Sequence, residues 1–190
     1  MDTIIGIDRA VFYLVNTRLT AGFLDLFMPF ITSKSNFTVV ILILWVGGLI
    51  VGGRKSRQAL LLLLLVVAFS DFLSSSIFKE LFQRVRPCVA LENVHLLVGC
   101  SGSFSFPSSH ATNIFAAMVW LALHYRKGRP IFLIVAILVA YSRIYVGVHY
   151  PLDVIGGACL GTSVAFLFIV VEERLIPPLI HYCKHLKAAR

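Results

Sequence analysis

The sequence predicts an all-α fold, a polytopic membrane helix bundle of five transmembrane helices preceded by N-terminal interfacial amphipathic helices. Three observations predict it. Of 190 residues, 58% are hydrophobic and 14% charged, with a mean hydropathy of +0.89, which lies outside the usual range of soluble domains. The apolar residues fall in runs near the roughly 20 residues that a span requires. The breaks between runs are short and basic, as in RKSR at 54–57 and RKGR at 126–129. Such breaks are topology signals, unlike the basic stripe interleaved with aromatics that a nucleic-acid surface presents. The net charge of +8 therefore points to the membrane, and no nucleic-acid partner is expected.

Residues 4–33 are amphipathic and are broken by Asp8, Arg9, Arg18, Asp25 and Pro29. They read as one or two helices lying in the interface, with a sixth span as the alternative. The N-terminus opens with an acid and lacks a basic region before a small-residue cleavage site, so no cleavable signal peptide is expected. Five apolar stretches follow, at 37–53, 58–78, 110–125, 130–148 and 151–171. One membrane-embedded domain is expected over 1–190: an interfacial segment at 1–35, a catalytic bundle at 36–172 and a basic cytoplasmic tail at 173–190. The basic breaks and tail belong in the cytoplasm by charge bias. Alternating spans then bring loop 83–109 and the break near 149 to the opposite face, the periplasm in a bacterium.

Three polar clusters meet on that face. In KELFQRVRP (79–87), Lys79 and Arg86 stand at a span end, where such residues ordinarily snorkel to the headgroups. Pro87 biases Arg86 away from helix and holds its guanidinium on a turn. In FPSSHAT (106–112), Ser108, Ser109 and His110 precede an apolar helix. A serine there is an ordinary N-cap, but the free N–H groups and the dipole at that end also favour an anion. In SRIYVGVHYPLD (142–153), Gly147 suits a helix end and Pro151 the first turn of the next helix. His149 sits between, and Asp153, four residues on, can orient one imidazole nitrogen and leave the other free. Together the clusters supply three cations, two histidines and a carboxylate. That set suits phosphoryl transfer, in which cations stabilise the equatorial oxygens. No carboxylate cluster able to hold Mg²⁺ accompanies it, so metal-independent chemistry without a cofactor is expected.

Spaced as they stand, Lys79-x6-Arg86-Pro87, Pro107-Ser108-Ser109-His110 and Ser142-Arg143-x5-His149-x3-Asp153 resemble the three signature motifs of the type 2 phosphatidic acid phosphatase superfamily. Ser109 stands where glycine is usual in that family. The resemblance implies that His149 attacks phosphorus to form a phosphohistidine and that Asp153 orients it. His110 then protonates the leaving oxygen and activates water. Lys79, Arg86, Arg143, Ser108 and Ser109 bind the phosphate. It also implies a lipid phosphatase of the bacterial inner membrane with its active site facing the periplasm. Its substrate would be lipid A 1-phosphate, undecaprenyl diphosphate, phosphatidylglycerol phosphate or phosphatidic acid. A vanadium-dependent haloperoxidase and a non-catalytic lipid-binding or transport protein are the alternatives.

Other residues carry smaller expectations. Asp71, inside the second span, costs roughly 3 kcal/mol there if charged and unpaired, and reads as a structural hydrogen-bonding group. Cys88 and Cys100 bracket a loop where a disulfide is possible in an oxidising compartment. Cys159 reads as packing, and Trp45 and Trp120 as apolar or interfacial side chains. Gly157-x3-Gly161 fits close helix packing, used inside one chain, so a monomer is expected.

Overall fold

The computed structural model describes the backbone of residues 2–188 and the side chains of residues 3–174. Most of the expected basic tail at 173–190 lies outside the residues whose side chains are described. The fold is all helical. The chain opens with α1 (Asp2–Tyr13), a π-helical turn (Leu14–Arg18) and α2 (Gly22–Thr32). Next come α3 (Lys34–Val51) and α4 (Arg54–Phe72), which a second π-helical turn (Leu73–Phe78) extends into α5 (Lys79–Phe82). After the short α6 (Pro87–Ala90) and a loop stand α7 (Ser109–His124), α8 (Arg129–Tyr145) and α9 (Pro151–Ala188).

By length and composition, four helical segments among the described residues can cross a membrane: Lys34–Val51, Arg54–Ala90, Arg126–Tyr145 and Pro151–Arg174. The remaining expected span, 110–125, is α7. Its 16 residues make it about 24 Å long at 1.5 Å per residue. It holds the centre of the bundle, against α4, α8 and α9. Its closeness to α9 has a local cause. A Cβ on Gly157 would lie 2.6 Å from the Ser108 carbonyl oxygen, and one on Gly161 2.8 Å from the Ala116 amide nitrogen. The small-residue motif is thus spent on packing within the chain. Val66, Ala116, Val119, Trp120, Val164 and Ala165 fill the core around this crossing. Trp120 is fully buried and donates to the Ala59 carbonyl at 2.9 Å, while Trp45 donates to Leu60 at 2.9 Å, so both indoles grip α4. Cys159, expected in packing, is exposed on the outer side of α9, because the inner side is taken by the glycines.

The N-terminal helices are more than interfacial. At 12 and 11 residues, α1 and α2 are too short for the sixth span, but Phe12, Val15 and Met28 are buried against Tyr145, Val148 and Tyr150 at one end of the bundle. Asn16 donates to the carbonyls of His95 (2.8 Å) and Tyr145 (2.7 Å) and accepts from the His95 amide (2.9 Å). Of the acids expected to break this segment, Asp8 is turned inward, at 3% exposure, while partly exposed Asp25 accepts from Tyr145 Oη at 2.7 Å.

The two basic breaks share the opposite end, where Ser56 and Tyr125 hydrogen-bond across them at 2.6 Å. The bundle therefore has one basic end and one end carrying the motif residues.

Candidate active site

The site is assembled at helix ends. The π-helical turn at Leu73–Phe78 widens the helix just before Lys79, a feature common at functional sites. Gln83 then takes φ 45, the left-handed conformation, and ends α5. The chain leaves it extended, and Arg86 at φ −69, ψ 150 shows the restriction that Pro87 imposes. Ser108, fully buried, caps α7 by accepting from Ala111 N, and its own amide donates to the Asp153 carbonyl at 3.0 Å. The starts of α7 and α9 are thereby locked together. Gly147 ends the turn after α8 at φ 86, where a Cβ would meet Val94 Cγ1 at 2.8 Å and the His95 oxygen at 3.0 Å.

These ends surround a cavity of about 240 Å³ lined by Lys79, Arg86, Arg143, Ser109, His110 and His149, together with Asp71, Ser75, Ser103 and Lys34. Of the eight residues expected from the sequence, six reach it. Ser108 does not line it; fully buried, it caps α7. Asp153 stands behind His149. Lys79 and Arg86 share Ser103: Lys79 Nζ donates to its hydroxyl at 3.3 Å, and Arg86 donates to its carbonyl at 2.7 Å and its hydroxyl at 3.0 Å. Arg143 Nη1 donates to Thr32 Oγ1 at 2.7 Å.

His149 is 1% exposed. Its Nδ1 lies 3.6 Å from Asp153 Oδ2 and 3.4 Å from Ser105 Oγ. The first contact is electrostatic, being longer than an N–H···O hydrogen bond. Ser105 is the intermediary, donating to the same Oδ2 at 2.5 Å. With its proton on Nδ1, toward Asp153 and Ser105, the ring accepts through Nε2 from Arg86 Nη1 at 3.1 Å, and the residue lines the cavity. Burial pushes His149 down to about 4, against the pull of Asp153 and reinforced by Arg86 and Arg143. His149 is thus held as a neutral imidazole beside three cations.

A family model described as the PAP2 superfamily matches residues 59–177. The chain belongs to the PAP2 superfamily. Among similar PAP2 proteins, the undecaprenyl-diphosphatase of Sulfolobus acidocaldarius is 39% identical over 98 residues, covering 51% of this chain and 48% of that one. The lipid A 4'-phosphatase of Bacteroides thetaiotaomicron is 33% identical over 116 residues, 57% of this chain and 52% of that one. The chain thus spans about half the length of these curated relatives. The crystal structure of the transmembrane PAP2 type phosphatidylglycerolphosphate phosphatase from Bacillus subtilis superposes with a TM-score of 0.74 at 28% identity, covering 92% of this chain and 89% of that one.

Around the PAP2 motifs lie residues that motif reading passes over. Arg84 bridges Asp153 and Asp8, at 2.7 and 2.5 Å. Two positions before Arg86 in extended chain, it shares a side with it, and that spacing was its signal in the sequence. Asp8 had one as well: positions 8, 12, 15 and 16 are the buried face of the N-terminal segment. Ser103 and Ser105 sit in an irregular loop whose course no periodicity reports. Asp71 accepts from Asn113 Nδ2 at 2.6 Å, and Asn113 in turn accepts from Ser70. The expected hydrogen-bonding role therefore holds, at a position on the cavity wall.

Proposed function

We propose that this chain is an integral membrane lipid phosphatase working through a phosphohistidine. The observation that carries the reading is the convergence of Lys79, Arg86, Arg143, His110 and His149 on one cavity, with Asp153 behind His149. A phosphate there would replace contacts that the site leaves incomplete. Arg143 Nε, for instance, is buried without a hydrogen-bond partner among the described residues, and a buried donor of that kind suits an anion oxygen. His149 Nε2 attacks phosphorus, and the P–O bond to the lipid breaks. His110, on the first turn of α7, gives its proton to the leaving oxygen, then takes one from the water that cleaves the P–N bond. The cations, with Ser109 at the helix N-terminus, hold the equatorial oxygens, the work that a metal performs elsewhere. Ser108 contributes by capping that helix.

The lipid's tails stay in the bilayer while its headgroup enters at the edge. The named relatives support a lipid diphosphate, a lipid A phosphate or phosphatidylglycerolphosphate as substrate; of these we favour lipid A or undecaprenyl diphosphate. The two basic breaks at the far end and the Cys88–Cys100 disulfide at the site end support a periplasmic site in a bacterial inner membrane.

The test is phosphate release from a panel of these lipids by the detergent-solubilised protein in EDTA, beside His149→Ala. Release from at least one lipid, lost in His149→Ala, is expected. Release that persists in His149→Ala would remove the nucleophile, and release that requires an added divalent cation would remove the metal-independent mechanism. Failure on every lipid would favour a binding protein, and activity only with vanadate and peroxide a haloperoxidase.

A further inference from the structure

Behind His149 lies a chain of charges that the phosphatase reading does not use. Arg84 donates through Nη1 to Asp153 Oδ1 at 2.7 Å and through Nη2 to Asp8 Oδ2 at 2.5 Å. Its guanidinium lies over the Tyr150 ring, 4.0 Å from the centroid. Asp8 and Asp153 are both buried, at 3% and 0% exposure. The two oxygens of Asp153 are divided: Oδ1 takes Arg84, while Oδ2 takes Ser105 Oγ and the Tyr150 amide and faces His149 Nδ1. Asp8 Oδ1 also accepts from Leu152 N at 2.8 Å, which ties α1 to the first turn of α9, one residue before Asp153.

An arginine paired with Asp153 alone would fix that carboxylate but cancel the charge that polarises His149. The second carboxylate removes the conflict: two acids and one guanidinium leave the trio with a single negative charge, the same as Asp153 alone. We infer that Asp8 and Arg84 are positioning residues for the nucleophile: Arg84 holds Asp153 in place, and Asp8 balances Arg84 so that Asp153 still acts on His149 as an anion. This rests on His149 being the nucleophile. It also gives the N-terminal helix a part in the chemistry, although it contributes no side chain of α1 to the cavity wall. Besides Asp153, the charged and titratable groups facing His149 are Arg86 and Arg143, with Lys79, Lys34, Asp71 and His110 around the cavity; Arg9 and Tyr150 lie beside the trio.

The experiment is a charge-balance cycle on the full-length protein in detergent, with kcat, KM and the acid limb of the kcat/KM profile measured for Asp8→Asn, Arg84→Gln and the double variant. Asp8→Asn makes the trio neutral. It is expected to lower kcat by roughly 10-fold or more, the usual scale for an orienting partner, with little change in KM, and to move the acid limb to lower pH. Arg84→Gln leaves two uncompensated acids and moves the limb to higher pH. The double variant restores the single negative charge, so its limb returns toward wild type and its loss of kcat is smaller than the product of the two single losses. Multiplicative losses with an unmoved limb, the pattern of two merely structural residues, overturn the inference.

If Asp8→Asn does not fold, Arg84→Gln and Arg84→Lys decide. A limb shifted in the first but not in the second supports the charge role, and the same limb position in both overturns it. His149→Ala, run alongside, separates the two levels. Residual turnover there removes the nucleophile assignment, whereas an inactive His149→Ala with multiplicative losses in the cycle removes the Asp8–Arg84 role alone.

Discussion

The proposed nucleophile, His149, has to remain unprotonated at working pH and still be electron-rich, and it meets the first demand by burial. With a pKa near 4, against 6.5 for an unperturbed imidazole, it is neutral in the folded and unfolded chain alike above pH 6.5 and adds nothing to pH dependence there. Between 6.5 and 4 the unfolded chain binds a proton that the folded one refuses. Stability therefore falls as pH falls through that window, by at most about 1.4 kcal/mol per unit, and levels off below it. In phosphate-free detergent buffer the thermal midpoint of the wild type is expected to drop from pH 7 to pH 4 more steeply than that of His149→Gln. Parallel curves would show that His149 does not titrate between the two states. The second demand, electron supply, falls to Asp153 and Ser105, which hold the Nδ1 side of the ring.

At the scale of the element, the segment joining α6 to α7 governs two of the three cations. Cys88 and Cys100 are bonded across a sequence separation of 12, and three residues later Ser103 takes hydrogen bonds from both Lys79 and Arg86. Closing a loop of this size stabilises a fold by roughly 3 kcal/mol in the chain-entropy account. Reduction with dithiothreitol, or Cys100→Ser, is therefore expected to lower the thermal midpoint by several degrees and to raise KM more than it lowers kcat, because the serine anchor of Lys79 and Arg86, the cations proposed to hold phosphate, loosens. An unchanged midpoint after reduction would mean that the bond is absent from the mature protein. The elements themselves were legible because hydropathy, Pro87, Gly147 and Pro151 report local geometry. The Gly157 and Gly161 pair likewise reported that a helix would pass close by. Ser103 and Ser105 were not legible in the same way: they act through contacts 17 and 44 residues away from an irregular loop, where no period or cap records the partner. Ser108 shows the opposite case, since its residue type fits both an N-cap and a phosphate ligand, and the cap is the role its contacts display.

For the molecule as a whole, the division of charge between the two ends sets an orientation that labelling can check. Arg54, Lys55 and Arg57 of the first break and Arg126, Lys127 and Arg129 of the second gather at the end where Ser56 meets Tyr125. The motif cations at the other end are different in kind. Lys79, Arg86 and Arg143 are nearly buried and face a cavity, so they interact little with the lipid surface and weigh less in orienting the chain. Among the described residues, exposed Arg9, Arg18 and Lys34 also lie toward that end, against six exposed cations in the two breaks. The excess at the breaks is the topology signal, and carrying each surplus charge across a bilayer against the membrane potential would cost about 2.3 kcal/mol per 100 mV. The expected outcome follows from that asymmetry. In a background with Cys159 and Cys183 replaced by alanine and the 88–100 bond intact, a cysteine introduced at exposed Glu92 should react with a membrane-impermeant maleimide in cells whose outer membrane is permeabilised. One introduced at exposed Lys127 should react only after the inner membrane is disrupted. The reverse pattern would put the cavity in the cytoplasm, where the glutathione pool would work against the disulfide, and would send the search for the substrate to lipids of the inner leaflet.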